Sequence, residues 1–151
     1  MSNNTPRLLA RRTAFFASVL ALVLLSGCGE TRPDRVPVSG QVLIDGKPLT
    51  CGHVRFVPEG ARPSGGTIGP DGRFSLTCYD GEDGAVPGHH RIEVSASEPA
   101  PGGTRWHAPK KYNRYETSGL ETNVDGPTDS VTIELTWDGG EPFIEPSEEE
   151  F

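Results

Sequence analysis

Histidine, cysteine and clustered carboxylate are the residues here that could bind a metal or attack a substrate, and their spacing decides whether they do. Four histidines occur: His53, His89, His90 and His107. A metal site needs several ligands converging on one ion. His89 and His90 are neighbours at the start of an alternating run, so their side chains point to opposite faces and do not share an ion. Asp80, Glu82 and Asp83 lie in DGEDG, a mixture of carboxylates and glycines suited to Ca²⁺. The EF-hand spacing and its closing bidentate Glu are missing, so a solvated turn is the plainer expectation. No G-x-S-x-G elbow and no phosphate loop occurs. No metal, no cofactor and no enzymatic activity are expected. One basic-aromatic patch stands out on an acidic chain. Arg105, Trp106, Tyr112, Arg114 and Tyr115 form it, with Lys110 and Lys111 between them. Such a patch could stack on a sugar or hold a cationic ligand or partner. Its bland alternative is a set of rings covering one end of a domain.

The three cysteines divide by position. Cys28 ends a leader in which Arg7, Arg11 and Arg12 precede the uncharged run Thr13–Gly27. A basic start followed by a short apolar run has the layout of a secretory signal. The run is shorter than the roughly 20 residues a membrane-spanning helix needs. Leu25-Ser26-Gly27-Cys28 resembles the bacterial lipobox. That resemblance implies cleavage after residue 27, a lipidated Cys28 as the new N-terminus, and stable anchoring through more than one acyl chain. Residue 29 is Gly, not Asp, and by the same resemblance lacks the inner-membrane retention signal. Outer-membrane delivery is then expected. Cys51 and Cys78 remain. In an exported domain they are either a disulfide closing a long loop or two separate buried thiols.

The full chain holds 14 Lys+Arg against 21 Asp+Glu, a net of −7. The leader contains three arginines and no acid, so its removal leaves 11 bases against 21 acids, a net of −10. A surface this acidic repels nucleic acid, which is excluded as a partner. The expected partners are the membrane, through the lipid, and an envelope protein or glycan.

The elements that must position these residues are short strands. VSGQVLI, HVRFVP, RFSLTCY, HHRIEVSAS and SVTIELTW each alternate apolar and polar residues, and Asp-Gly turns separate several of them. Period-two alternation puts one face on a core and one in water. No segment has a sustained helical period; a single turn near Pro109–Tyr115 is the exception. The organisation expected is a leader (1–27), a tether (28–36), one all-β domain (37–138), and an acidic flexible tail (139–151). The tail's alternative is a docking peptide anchored by Phe143, Ile144 and Phe151.

VSGQVLIDGKPLTCGHVRFVPE, GPDGRFSLTCYDGEDGAVPGHHRIEVSA and KKYNRYETSGLETNV, in this order, resemble small planctomycete-type lipoproteins. Those carry a transthyretin-like domain of the carboxypeptidase regulatory type. The resemblance spans about residues 36–137 and implies a seven-stranded Greek-key β-sandwich. It implies little about function, because fold does not license activity. Three roles follow as expectations: a non-catalytic envelope domain with a structural or binding role, an accessory module of an envelope enzyme or secretion complex, or a small-molecule hydrolase of the hydroxyisourate type. The hydrolase branch carries a C-terminal Tyr-Arg-Gly-Ser motif, which this chain lacks.

Overall fold

The computed structural model describes residues 32–147. The leader, Cys28 and residues 148–151 lie outside them. The described chain is all-β, as the alternation predicts. Its strands are β1 (Val38–Ile44), β2 (Lys47–Pro48), β3 (His53–Pro58), β4 (Ser64–Thr67), β5 (Arg73–Ser75), β6 (Gly88–Ser95), β7 (Ser97–Ala100), β8 (Gly103–Trp106), β9 (Leu120–Val124), β10 (Thr128–Leu135) and β11 (Phe143–Pro146). One helical turn of 3-10 type, Lys110–Asn113, leads into α1 (Tyr115–Ser118). No described helix is long and apolar enough to cross a membrane.

Two sheets share one core. In the first, β1 pairs with β10 in parallel on one edge, and with β5 and then β2 antiparallel on the other. The second runs in the order β4-β3-β6-β9, all antiparallel. They join at one seam, where Gly65 and Thr77 exchange backbone hydrogen bonds of 2.9 and 2.8 Å. Both sheets turn their apolar faces inward. Val38 and Val42 of β1, Phe74 of β5, and Ile133 and Leu135 of β10 meet Val54 and Phe56 of β3 and Ile92 and Val94 of β6. Alternation also explains the two adjacent histidines. His90 is fully buried against Phe56 and meets the Val86 carbonyl at 2.8 Å; His89 lies outside beside Glu121.

A third sheet, β11-β8-β7, stands apart from the core as a small ribbon. It corrects the expected flexible tail. Phe143–Pro146 is a strand paired with β8, held through Glu145, which takes hydrogen bonds from the Trp106 indole (3.0 Å) and the Lys110 ammonium. Asp138 and Gly139, with φ of 52° and 87°, turn the chain back towards this position. An acidic composition predicts mobility only where no partner waits, and here Lys110 and Trp106 wait.

Of the two expectations for Cys51 and Cys78, the disulfide is the one corrected: both thiols are free. Cys51 directly precedes β3. Cys78 is buried beyond the other end of that strand, its thiol donating to the Arg62 carbonyl at 3.7 Å. Six residues of strand separate those positions by about 20 Å. A disulfide needs Cα atoms within about 7 Å.

Candidate functional site

β1 gives the domain two poles. At its start, Val36 and Ala85 exchange backbone hydrogen bonds of 2.9 and 3.0 Å. At its end, the Asp45–Gly46 turn lies against the end of β10, with Asp45 N–H on the Leu135 carbonyl at 3.0 Å. About 20 Å of strand lies between. Each pole carries a distinct constellation.

The first pole is a clamp on the incoming chain. The Asp83 carboxylate accepts the backbone N–H groups of Cys78 (2.6 Å), Tyr79 (3.1 Å) and Asp80 (3.4 Å). Arg35 Nε forms an ion pair with it at 2.7 Å. Burial would raise the Asp83 carboxyl. The three N–H groups and the Arg35 guanidinium outweigh it and hold the group below its ordinary range. Arg35 and Arg62 both lie over the Tyr79 ring, at 4.9 and 4.8 Å from its centroid. The acidic run DGEDG is therefore no plain solvated turn: Asp83 builds it, and only its neighbours Asp80 and Glu82 face water.

The second pole carries a cleft. Two hollows of about 380 and 490 Å³ meet at His107 and Pro142. Asp45, Lys47, Thr50 and Trp137 line the first; Arg105, Phe143 and Ile144 line the second. Phe143 and Ile144 are 41% and 43% exposed, the large apolar side chains most open to water among the described residues. Trp137 is half-buried, with its ring edge-on to Phe143 at a centroid distance of 6.4 Å. Its backbone N–H donates to Asp45 Oδ1 at 3.3 Å. His107 Nε2 meets Glu98 Oε1 at 3.0 Å. Arg105 and Lys47 are exposed, and no carboxylate of the described residues lies within ion-pair distance of either. Each hollow thus holds one exposed cation outside any ion pair, with the Asp45 carboxylate also on the wall of the first.

This is not the patch that the sequence predicts. Arg105, Trp106, Tyr112, Arg114 and Tyr115 go to separate places. Tyr112 is in the core, where its hydroxyl takes the Thr136 N–H at 3.1 Å. Tyr115 lies under Arg91, 4.3 Å from its ring centroid, outside the second sheet. Trp106 is bound to Glu145, and Arg114 sits on the surface beside Glu116 at 3.6 Å. Arg105 alone reaches the cleft. The alternation along a ribbon and the burial of Tyr112 within an otherwise exposed helical turn scatter residues that are neighbours in sequence. The cleft residues that sequence reasoning misses are Trp137, Lys47 and Pro142; His107 is named there only among the histidines weighed as metal ligands, and Phe143 and Ile144 only as anchors of a docking peptide. One signal for them is present: the Asp138-Gly139 turn ahead of Phe-Ile-Glu reads as a reversal leading into a further strand once composition is set aside, although that strand pairs with β8 and not with β10.

The Cys51 thiol lacks the marks of a nucleophile, and Cys78 is buried with its thiol on the Arg62 carbonyl. Burial and the nearby Glu98 charge raise the Cys51 pKa, and an activated thiol needs the reverse. Among the described residues no group of three His, Cys, Asp or Glu side chains is placed to hold a metal ion. Compared with known protein families, curated proteins and solved structures, the chain matches none, and its own residues carry the functional argument.

Proposed function

We propose that this protein is a lipid-anchored lipoprotein of the cell envelope whose β-domain presents a binding surface away from the membrane. The observation that supports this most is the placement of the two poles. Cys28 precedes the clamped Arg35 by seven residues, a span of at most about 25 Å. The clamp holds the chain where it enters the domain. The cleft of Trp137 and His107 opens at the other end of β1. A short tether on one pole and a cleft on the other suit a molecule held at a surface and read from the outside. Seven strands, β1, β3–β6, β9 and β10, surround the core in the number that the transthyretin-like resemblance implies. The chain passes from β1 to β3 and β4, back to β5, over to β6 and β9, and returns to β10, which supports a Greek-key sandwich. The two-residue β2 and the ribbon are additions to that plan.

The test is Cys28→Ser. The variant is expected to leave the membrane fraction; among the described residues no helix is long and apolar enough to cross a membrane. A variant that still sediments with membranes rejects the anchor.

One observation favours the hydrolase reading as a second. Arg105 and His107 share a cleft, and Glu98 orients the imidazole as a carboxylate orients a general base. Turnover of 5-hydroxyisourate by the purified chain, abolished in His107→Ala, would carry that reading; no turnover ends it.

A further inference from the structure

We propose that the Trp137 cleft binds an acidic saccharide, a chain of hexuronate-type pyranose rings. The choice follows from what the cleft can and cannot offer. It cannot offer much backbone. Ser147 N–H donates to the Gly102 carbonyl, and the antiparallel ladder alternates from there. Phe143 and Glu145 therefore direct their backbone groups at β8, while Ile144 and Pro146 face outward. Pro142 and Pro146 have no N–H. Ile144 supplies the one outward N–H of this stretch, and strand addition by a peptide gains almost nothing. A ligand here must be held by side chains.

Those side chains fall into two sets. Trp137, Pro142 and Ile144 are flat or apolar and open to water, which suits the C–H face of a sugar ring. Lys47 and Arg105, one in each hollow, are cations without a carboxylate partner among the described residues, on a chain of net charge −7. Asp45, on the wall of the first hollow, accepts from Trp137 N–H, and Glu98, the cross-strand partner of Arg105, meets His107; neither acid forms an ion pair with Lys47 or Arg105. Each hollow thus holds one cation outside any ion pair among the described residues. Thr50 and His107 add groups able to meet hydroxyls. The two hollows share His107 and Pro142 in their walls, and each has the volume of a small-ligand site. An elongated ligand with more than one ring and an acid group for each hollow matches that layout.

This inference deepens the binding role proposed above and does not depend on the lipid anchor. The full chain, solubilised in detergent, serves the test, so failure to bind and failure of Cys28→Ser to release from membranes are separate results. Calorimetry is run with oligogalacturonate, oligomannuronate and hyaluronan fragments, against a neutral galacto-oligosaccharide and polyglutamate. At least one acidic saccharide is expected to bind about tenfold or more tighter than either control. Trp137→Ala is expected to lower that affinity about tenfold. The double variant K47Q/R105Q is expected to lower it as far and to flatten its salt dependence. The double variant changes only exposed side chains, so it remains informative if the Trp137 variant folds poorly. Three outcomes overturn the proposal. They are no binding of any acidic saccharide, equal binding of the neutral sugar or of polyglutamate, and affinity unchanged in K47Q/R105Q.

Discussion

Gly40→Ala is expected to destabilise the domain by at least about 3 kcal/mol, the upper range for overpacking a core. Gly40 lies in the centre of β1, opposite Val131 of β10 and Phe74 of β5. A Cβ there would overlap the Val131 carbonyl oxygen and press on the Val131 Cβ at 2.9 Å. The obstacle is backbone on a paired strand, so no rotamer change relieves it. β1 touches β10, β2 and β5 at once, and a shift that makes room breaks the one parallel ladder of the sheet. The ladder already carries an irregularity between Val38 and Gly40, which brings the two backbones this close. Small domains are stable by roughly 5–15 kcal/mol, so a loss of this size is a large share. Urea denaturation should show a lower midpoint with an unchanged slope. Gly46→Ala is the comparison. It sits in the β1–β2 turn with φ of 77° and nothing within 4 Å of a new Cβ, so only conformational strain applies. Its cost is expected to be about 1 kcal/mol. Equal losses in the two variants would show that steric contact at Gly40 is not what the glycine is for.

The same strands are the part of the fold most legible in the sequence. Val54 and Phe56, Ile92, Val94 and Ala96, and Ile133 and Leu135 alternate along the chain and are all buried. Asp45-Gly46 and Asp71-Gly72 announce turns, and the glycines there take positive φ. Period two is a property of the strand alone, so it is legible. Trp137 misleads for the same reason. It continues the inward parity of Ile133 and Leu135, but β10 ends at Leu135, and past that point parity no longer means core. Tyr112 misleads in the opposite direction. Its basic neighbours suggest a surface, while its ring is buried and its hydroxyl completes the backbone of Thr136, 24 residues away. Phe143–Pro146 is too short to declare itself by alternation; its strand depends on Trp106 and Lys110, which lie far back in the chain. The cysteine pairing turns on which end of β3 each thiol occupies, and periodicity is silent on that. What the sequence conveys is local. The cleft and the clamp are made by contacts between residues tens of positions apart.

Asp83→Ala is expected to cost about 2 kcal/mol at pH 7 and to loosen the chain where it enters the domain. The carboxylate takes three backbone N–H groups and one guanidinium. Its removal leaves those donors without an acceptor, each worth about 1–3 kcal/mol where fully buried. The side chain is 17% exposed, and water replaces part of the loss. The pH dependence follows from the depressed carboxyl. A group whose folded pKa lies below its unfolded value binds fewer protons when folded, so its stabilisation is complete above about pH 4. It is lost as pH falls through the folded value, below 3.8. The gap between wild type and variant should therefore be full at neutral pH and close on acidification, while Gly40→Ala keeps its deficit throughout. The second readout is local. Arg35 is held by Asp83 and by the Tyr79 ring, next to the Val36–Ala85 backbone pair. Freed from Asp83, the Arg35–Val36 bond becomes a better trypsin site, and limited proteolysis should cut there sooner in the variant than in wild type. Faster cleavage at Arg35 with an unchanged cleft would separate the clamp from the binding surface. Equal cleavage rates would assign the grip on the entering chain to the Val36–Ala85 pair alone.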